Sequence, residues 1–269
     1  MSDGAFERIG ILGFGFMGEA LIKGIRAMEH PPEVGVVEKA EERARLAVEQ
    51  YGCTDYAEDA AALFRERSLV ILAVKPQQAA ELFPSLRPVA GTTPVLSVLA
   101  GTTTDTVREL LGDRAVIRFM PNLAAGVGAA IVGVCYSEGV SQGLREAALR
   151  FAEAAGTPVV LPESQMGAIT GLSGSGIAYV FRMAHALALG GTKNGIPYNQ
   201  SLRAALGVLE GAAAVLKSTE VHPEEMVSRV CSPGGTTVEG IFALEEGGFT
   251  ATVIDAVTRA TTRAKELES

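Results

Sequence analysis

The sequence has few cysteines and no excess of basic residues. Cys53, Cys135 and Cys231 are widely separated and form no CxxC pair, so neither a disulfide framework nor a zinc site is expected, and we predict no metal. Acidic residues outnumber basic ones, with a formal net charge of -8, and we find no cluster of Lys and Arg. This balance argues against nucleic acid or an anionic membrane as the main partner.

Long uninterrupted apolar runs are also missing. The most apolar stretch, residues 177–191, is interrupted by Arg182 and His185, which makes it an unconvincing membrane span. No charged and then apolar signal precedes the first predicted strand, so we expect a cytoplasmic protein. The mean hydropathy of +0.25 is nevertheless high. Burial of apolar surface between subunits would explain it, so we expect a homo-oligomer.

Short Val, Ile and Leu runs alternate with amphipathic segments in the first part of the chain. Strands are predicted at residues 9–12, 34–37, 69–74, 95–99, 116–120, 131–136 and 159–161, and helices at 17–28, 41–51, 57–66, 77–86, 104–111 and 141–155. Because the strands are continuously apolar, they favour a parallel sheet covered on both faces. The sequence therefore predicts an α/β fold with an N-terminal Rossmann-type doubly wound domain over residues 1–160.

After Pro162 the strand signal stops. Helices are predicted at residues 177–193, 199–218, 224–230 and 250–267, with a glycine-rich break at 171–176. Small residues on these helices allow close helix packing, as in an intertwined dimer, although they are equally common in monomer cores. Residues 161–269 are therefore predicted to form an all-helical domain.

A glycine-rich turn directly follows the first predicted strand and opens the first helix. It consists of Gly13, Phe14, Gly15, Phe16, Met17 and Gly18. In this context the GxGxxG spacing is typical of a dinucleotide site: the glycines allow a tight turn, close approach of a pyrophosphate and close helix–strand packing, while the helix N-terminus faces the phosphates. We therefore predict a nicotinamide dinucleotide cofactor.

The residues that would discriminate between NADH and NADPH do not all favour the same cofactor. Glu38 ends the second predicted strand, where an acidic side chain would bind the adenosine ribose and repel a 2′-phosphate. Lys39 and Arg43 could instead pair with that phosphate. Either NADPH or NADH stays open, with NADH somewhat favoured. Two further cofactor loops are expected at strand carboxyl ends, and they contain Ala73, Val74, Lys75 and Pro76, and Ala100 and Gly101.

A second glycine-rich segment, Ser232-Pro233-Gly234-Gly235-Thr236-Thr237, interrupts the Ala-rich helical region. Backbone N–H groups at glycines and neighbouring hydroxyls can bind a carboxylate or a phosphate, especially at a helix start. An ordinary turn between helices is the alternative interpretation.

Several segments together carry a resemblance over nearly the whole chain. They are the GFGFMG turn, AVKPQ (73–77), MPN (120–122), GSG-x-AY (174–179), SPGGTT (232–237) and LEEGGF (244–249). In this order they are similar to the pyrroline-5-carboxylate reductase family, and SPGGTT is the most specific of them. The resemblance implies NAD(P)H-dependent reduction of 1-pyrroline-5-carboxylate to L-proline, the last step of proline biosynthesis. It also implies a C-terminal domain that binds substrate and dimerises, with dimers often assembled into a ring.

The resemblance also implies roles for individual residues. The substrate carboxylate would be held by Ser232, Gly234, Gly235, Thr236 and Thr237, with Asn122 of the MPN segment beside the substrate. Thr237 matches the threonine whose hydroxyl reaches the ring nitrogen. Glu220 matches a glutamate near the substrate end of the cofactor, and both are catalytic candidates. We expect His222, next to Pro223, to be a structural turn residue.

Six positions depart from the family pattern, namely Leu123, Ala124, Ile177, His185, Leu189 and Val227. Reduction of another cyclic imine therefore remains an alternative. A β-hydroxyacid dehydrogenase shares the opening turn, but its catalytic lysine position is Val180 here, and valine cannot take the hydroxyl proton. A non-enzymatic nucleotide-sensing protein is the third alternative, because fold alone does not establish function.

Overall fold

One eight-stranded sheet organises the first part of the chain. The structure, a computed structural model, describes residues 7–268. The strands are β1 (Arg8–Leu12), β2 (Glu33–Val37), β3 (Thr54–Asp55), β4 (Leu69–Leu72), β5 (Val95–Ser97), β6 (Val116–Pro121), β7 (Ala130–Tyr136) and β8 (Gly156–Val160). They lie in the order β3-β2-β1-β4-β5-β6-β7-β8. The order reverses between β1 and β4, and in doubly wound sheets such a reversal opens a ligand crevice at the strand carboxyl ends.

The predicted doubly wound architecture is confirmed, with one change of strand direction. Neighbouring strands from β3 to β6 pair in parallel, whereas β6 and β7 pair antiparallel and β7 and β8 pair in parallel. The connection from β6 to β7 holds only a 3-10 turn (Leu123–Val127). It is too short for the crossover that a parallel pair needs. Strand β3, only two residues long, was not predicted.

Helices cover the sheet and make up most of the later chain. They are α1 (Phe16–Arg26), α2 (Glu41–Tyr51), α3 (Ala60–Glu66), α4 (Pro76–Leu86), α5 (Thr104–Leu111), α6 (Gln142–Ala155), α7 (Met166–Ile169), α8 (Gly176–Lys193), α9 (Tyr198–Thr219), α10 (Pro223–Val230), α11 (Thr236–Glu246) and α12 (Phe249–Glu266). Among residues 7–268, no helix is long and apolar enough to cross a membrane. Residues 1–6, where we expected no targeting signal, lie outside the described residues.

Helix α11 was not predicted, and the start of α3 and the break before α8 differ from the prediction for local reasons. Helix α3 begins at Ala60 rather than at residue 57, because Ala57 has a φ of 50° and the Asp59 side chain accepts a hydrogen bond from the Ala62 N–H. A carboxylate at this position satisfies a free donor of the first turn. The predicted break at residues 171–176 is mostly a π-helical turn, Thr170–Gly174, between α7 and α8.

Apolar side chains fill both faces of the sheet. Along β4, Leu69 and Ile71 contribute to one core cluster, and Val70 and Leu72 to the other. Alternate residues of a strand point to opposite faces, so both faces are buried, as the continuous apolar strands predict. Each fully buried Leu or Ile contributes about 1.5–3 kcal/mol relative to an exposed one.

Contacts along the chain define two compact units. The first unit comprises the chain up to Gly174 together with the residues from Arg259 onwards, and the second is Ser175–Thr258. The division falls later than residue 160, because Met166 and Ile169 pack with Met120 and Cys135 of the sheet. The assignment of residues 161–269 to substrate binding and dimerisation stays a prediction.

Candidate functional site

The glycine turn after β1 has the close packing that its spacing predicts. Gly13 has a φ of 92°, and a Cβ there would lie 2.8 Å from the Val74 nitrogen. At Gly18 a Cβ would lie 2.7 Å from the Gly13 carbonyl oxygen. Any side chain at these two positions would collide with backbone, so the turn and α1 can approach the sheet this closely only with glycine.

The start of α1 provides a binding surface for an anion. Gly15 is the N-cap residue and provides no capping side chain. A Cβ at Gly15 would have open space around it, while Phe14 is buried and Phe16 is exposed. First-turn N–H groups and the helix dipole both favour a phosphate at such an end. Because α1 starts at the point where the strand order reverses, these residues fit the pyrophosphate of a dinucleotide.

Glu38 lies against the glycine turn. Its Oε2 accepts a hydrogen bond from the Phe14 N–H at 2.6 Å, and its Oε1 accepts one from the Ala40 N–H at 2.8 Å. Ionised carboxylate oxygens can each accept a further bond. The carboxylate is thus held at the end of β2 with acceptor capacity left for ribose hydroxyls.

Arg43 is already engaged with the same turn. Its Nε donates to the Phe14 carbonyl at 2.9 Å and its Nη2 to the Gly15 carbonyl at 3.2 Å. The same Nη2 forms an ion pair with Glu19 at 2.8 Å, and the guanidinium lies over the Phe14 ring. Partial burial opposes ionisation of Glu19. Hydrogen bonds from Arg43, Tyr51 and Lys23 outweigh that burial and lower the pKa of its carboxyl.

The loops after β4 and β5 lie at the carboxyl edge of the sheet, beside the glycine turn. The backbone of Ala73 and Val74 lies so close to Gly13 that a Cβ on Gly13 would collide with it. Lys75 is exposed and is the N-cap of α4, with its N–H donated to the Gln78 side chain. Gly101 has a φ of 68°, and the space of its absent side chain is filled by Leu267. Glu38, Ala73 and Val74 therefore contact the glycine turn, Ala100 and Gly101 follow β5 at the same edge of the sheet, and the Lys39 side chain is exposed.

The SPGGTT segment, in the second unit, forms a tight turn ahead of a helix. The Gly235 N–H donates to the Ser232 carbonyl at 3.0 Å, and Gly234 has a φ of 70°. A Cβ at Gly235 would collide with the Ser232 Oγ. Gly235 is the N-cap of α11 and provides no capping side chain, so Thr236 and Thr237 occupy the first turn. Donors at this end are available to a carboxylate.

Glu220 and His222 lie between α9 and α10 in the same unit. Glu220 has a φ of 53° and ends α9 in the left-handed conformation that is common at helix C-termini. His222 is the N-cap of α10, and its Nδ1 accepts a hydrogen bond from the Glu224 N–H at 3.3 Å. Its expected structural role is in keeping with this geometry.

Asn122 belongs to the first unit, unlike the other predicted substrate residues. Its Oδ1 accepts a hydrogen bond from the Ala124 N–H at 3.1 Å, and its Nδ2 donates to the Ser173 Oγ at 3.1 Å. The amide thereby caps the 3-10 turn and ties it to the π-helical turn. Its substrate contact stays a prediction.

Sequence reasoning missed one charged cluster, formed by Arg118, Glu163 and Glu268. These residues are far apart in the sequence and follow no local motif, so only the fold reveals them. Within residues 7–268, no three His, Cys, Asp or Glu side chains are grouped so that they could hold a metal ion.

Two family models match the chain. The one described as pyrroline-5-carboxylate reductase dimerisation matches residues 163–267, and the one described as NADP oxidoreductase, coenzyme F420-dependent, matches residues 8–101.

Full-length relatives are similar across both units. The pyrroline-5-carboxylate reductase of Aquifex aeolicus (strain VF5) is 36% identical over 261 residues, covering 97% of this chain and 97% of that protein. The enzyme of the same description from Methanosarcina acetivorans is 37% identical over 265 residues, covering 97% and 98%. A crystal structure of 1-pyrroline-5-carboxylate reductase from Streptococcus pyogenes matches with a TM-score of 0.88 at 31% identity, over 96% of this chain and 98% of that one. The similarity thus extends well beyond the glycine turn.

Proposed function

The chain belongs to the pyrroline-5-carboxylate reductase family, and from that premise we propose how its own residues reduce 1-pyrroline-5-carboxylate to L-proline. The enzyme is an NAD(P)H-dependent oxidoreductase that acts on a C=N bond in proline biosynthesis. The observation that carries the assignment is the 36–37% identity across essentially the full length of both relatives. Within that similarity, the glycine turn can bind a cofactor and the SPGGTT turn can bind a carboxylate.

The first unit holds the cofactor. NAD(P)H supplies the hydride when it is bound. The α1 start at Gly15 binds the pyrophosphate through backbone N–H groups, and Gly13 and Gly18 allow the turn to approach it. The loops containing Ala73–Pro76 and Ala100–Gly101 line the carboxyl edge beside the glycine turn.

The second unit holds the substrate carboxylate. Ser232, Gly234, Gly235 and Thr236 surround the start of α11, where N–H groups and hydroxyls bind the carboxylate and fix the orientation of the ring. The Thr237 hydroxyl hydrogen-bonds the ring nitrogen. A protonated cyclic imine accepts hydride at carbon directly, so the residues chiefly orient the ring. The Thr237 hydroxyl then stabilises the amine as charge redistributes, and Glu220, at the end of α9, is the second catalytic candidate, near the substrate end of the cofactor.

We further propose that NADH is preferred over NADPH. Glu38 places a carboxylate at the end of β2, where a 2′-phosphate would be repelled. Arg43, the nearby guanidinium, is committed to the carbonyls of Phe14 and Gly15 and to Glu19. It would have to give up those bonds to neutralise a 2′-phosphate. The exposed Lys39 leaves NADPH with a weaker alternative partner.

The protein is a homo-oligomer, as its match to the dimerisation family indicates. We propose that the dimer forms through the C-terminal helices, that dimers assemble further into a ring, and that the enzyme works in the cytoplasm on small molecules rather than on nucleic acid or a membrane. Apolar side chains exposed on the second unit support the dimer, among them Phe181, Leu206, Val208, Phe242 and Ile254. Mass measurement of the native assembly distinguishes a dimer from a ring.

A parallel assay tests the reaction. Oxidation of NADH and of NADPH is followed by nicotinamide absorbance with pyrroline-5-carboxylate and with its six-membered homologue. We expect turnover of the five-membered ring, faster with NADH. Turnover of the larger ring alone would keep the chemistry and change the substrate. Failure to reduce either imine with either cofactor would refute the reductase assignment.

A further inference from the structure

Arg118, in the centre of β6, is a fully buried cation that the reaction does not use. Its exposure is 0%, and arginine is almost never buried to this extent without partners. Two carboxylates pair with it: Glu163 Oε1 lies 3.2 Å from Nη1, and Glu268 Oε1 lies 2.6 Å from Nη2. All three residues belong to the first unit. Glu268 comes from the chain just after α12, so this ion pair ties that end of the chain to the sheet.

Glu163, one of these two carboxylates, connects Arg118 to the beginning of α5. Glu163 accepts a hydrogen bond from the Thr104 N–H at 2.7 Å and another from the Thr104 hydroxyl at 2.5 Å. Thr104 is the first residue of α5, and it directly follows the loop of residues 100–103 after β5. Glu163 therefore fixes the downstream end of that loop.

The upstream end of the same loop is held by the residue next to Glu268. A Cβ at Gly101 would lie 2.8 Å from the Leu267 carbonyl oxygen and 2.9 Å from the Leu267 Cβ. Gly101 also has a φ of 68°, so another residue would be strained there. Leu267 and Glu268 thus act at one place: the first packs on the loop, and the second anchors itself to Arg118.

We propose that Arg118, Glu163 and Glu268 are positioning residues that fix the loop of residues 100–104 in its cofactor-binding conformation. This rests on the proposed function in that it takes the loop to be part of the cofactor site. A loop ordered in advance loses less conformational entropy when its ligand binds. Leu267 and Glu268 therefore set cofactor affinity without touching the cofactor.

The test is the substitution Glu268→Gln, which removes one charge and keeps the shape of the side chain. Affinity for NADH is measured by calorimetry with no imine present, so the readout does not depend on turnover. We expect the Kd of NADH to rise by about 3- to 10-fold, as for other positioning residues, with the KM for cofactor following it. The KM for the imine and kcat at saturating cofactor should change less.

Two further variants keep this test decisive. Glu266→Gln makes the same change two residues earlier, in an exposed side chain paired with Arg263, and should leave the Kd as in the wild type. Thr104→Val removes the hydroxyl donor to Glu163 and should raise the Kd in the same direction as Glu268→Gln. A Kd within twofold of wild type for both Glu268→Gln and Thr104→Val would overturn the proposal. Absence of imine reduction by the wild type would refute the proposed function while leaving this binding result interpretable.

Discussion

The two units of the chain differ in how much of a hydrophobic core each forms from its own residues. The first unit buries apolar side chains on both faces of its sheet. In the second unit the buried residues are Ala184, Ala188, Ser201 and Ala205, all of them small. Large apolar side chains of the second unit are instead exposed, such as Phe181 at 55% and Ile254 at 62%.

We expect the second unit to complete its core against another copy of the chain, in keeping with the match of residues 163–267 to a dimerisation family. Large exposed apolar patches are uncommon on monomers and mark interaction sites. The predicted cofactor site and the predicted carboxylate site are divided between the two units in the same way. In the first unit, the predicted cofactor residue Glu38 is hydrogen-bonded to the backbone of the glycine turn, whereas the SPGGTT turn precedes a helix that has no buried residue.

The largest effect is expected from placing a charge on the exposed apolar surface of the second unit. Ile254→Asp and Phe181→Asp should each weaken the dimer by about 10²- to 10³-fold, since each removes apolar burial from both subunits. Light scattering coupled to size-exclusion chromatography at decreasing concentration measures the shift towards monomer. Val89→Asp makes a similar change at a half-exposed valine of the first unit and should leave the mass unchanged. If both Ile254→Asp and Phe181→Asp kept the wild-type mass at every concentration, the second unit would not draw its core from a partner.

An intermediate effect is expected from the hydroxyl of Thr237. Thr237→Ala should lower kcat/KM for the imine by about 10- to 100-fold, the cost of one hydrogen bond to a charged group. The Kd of NADH should stay near the wild-type value, because the predicted cofactor residues belong to the first unit. Thr237→Ser keeps a hydroxyl and should recover most of the activity. An unchanged kcat/KM in the alanine variant would remove Thr237 from the site and weaken the division of roles between the units.

Local patterns made much of the fold and the glycine turn after β1 predictable. Buried parallel strands are continuously apolar, and the glycine turn is a six-residue motif with a fixed context, so both can be read from neighbouring residues. The NADH/NADPH question could not be decided this way, because Arg43 could pair either with a phosphate or, as the structure has it, with the Phe14 and Gly15 carbonyls.

What the sequence did not reveal depends on contacts between distant residues. Arg118 pairs with residues 45 and 150 positions away, and no spacing rule predicts such a cluster. The reversal of β7 depends on a connection whose 3-10 turn has no strong sequence signature. Gly101 was predicted to bind the cofactor, and nothing in the sequence indicated that Leu267 packs against it.

The smallest effect is expected from Glu38, and it tests whether the first unit alone determines cofactor preference. Glu38→Gln keeps an oxygen that can accept the Phe14 N–H but removes the negative charge. The ratio of kcat/KM for NADH to that for NADPH should fall by about tenfold, because one unit charge a few ångströms from a 2′-phosphate contributes roughly 1–4 kcal/mol at a partly exposed site. Glu49→Gln removes the same charge from an exposed position near the far end of α2 and should leave the ratio unchanged.

The dimer-weakened Ile254→Asp should keep the wild-type ratio of Kd values for the two cofactors, since Glu38, Arg43 and the glycine turn all lie in the unit that has its own core. A ratio that changed with dimer dissociation but not with Glu38→Gln would mean that cofactor preference depends on the assembly rather than on the first unit.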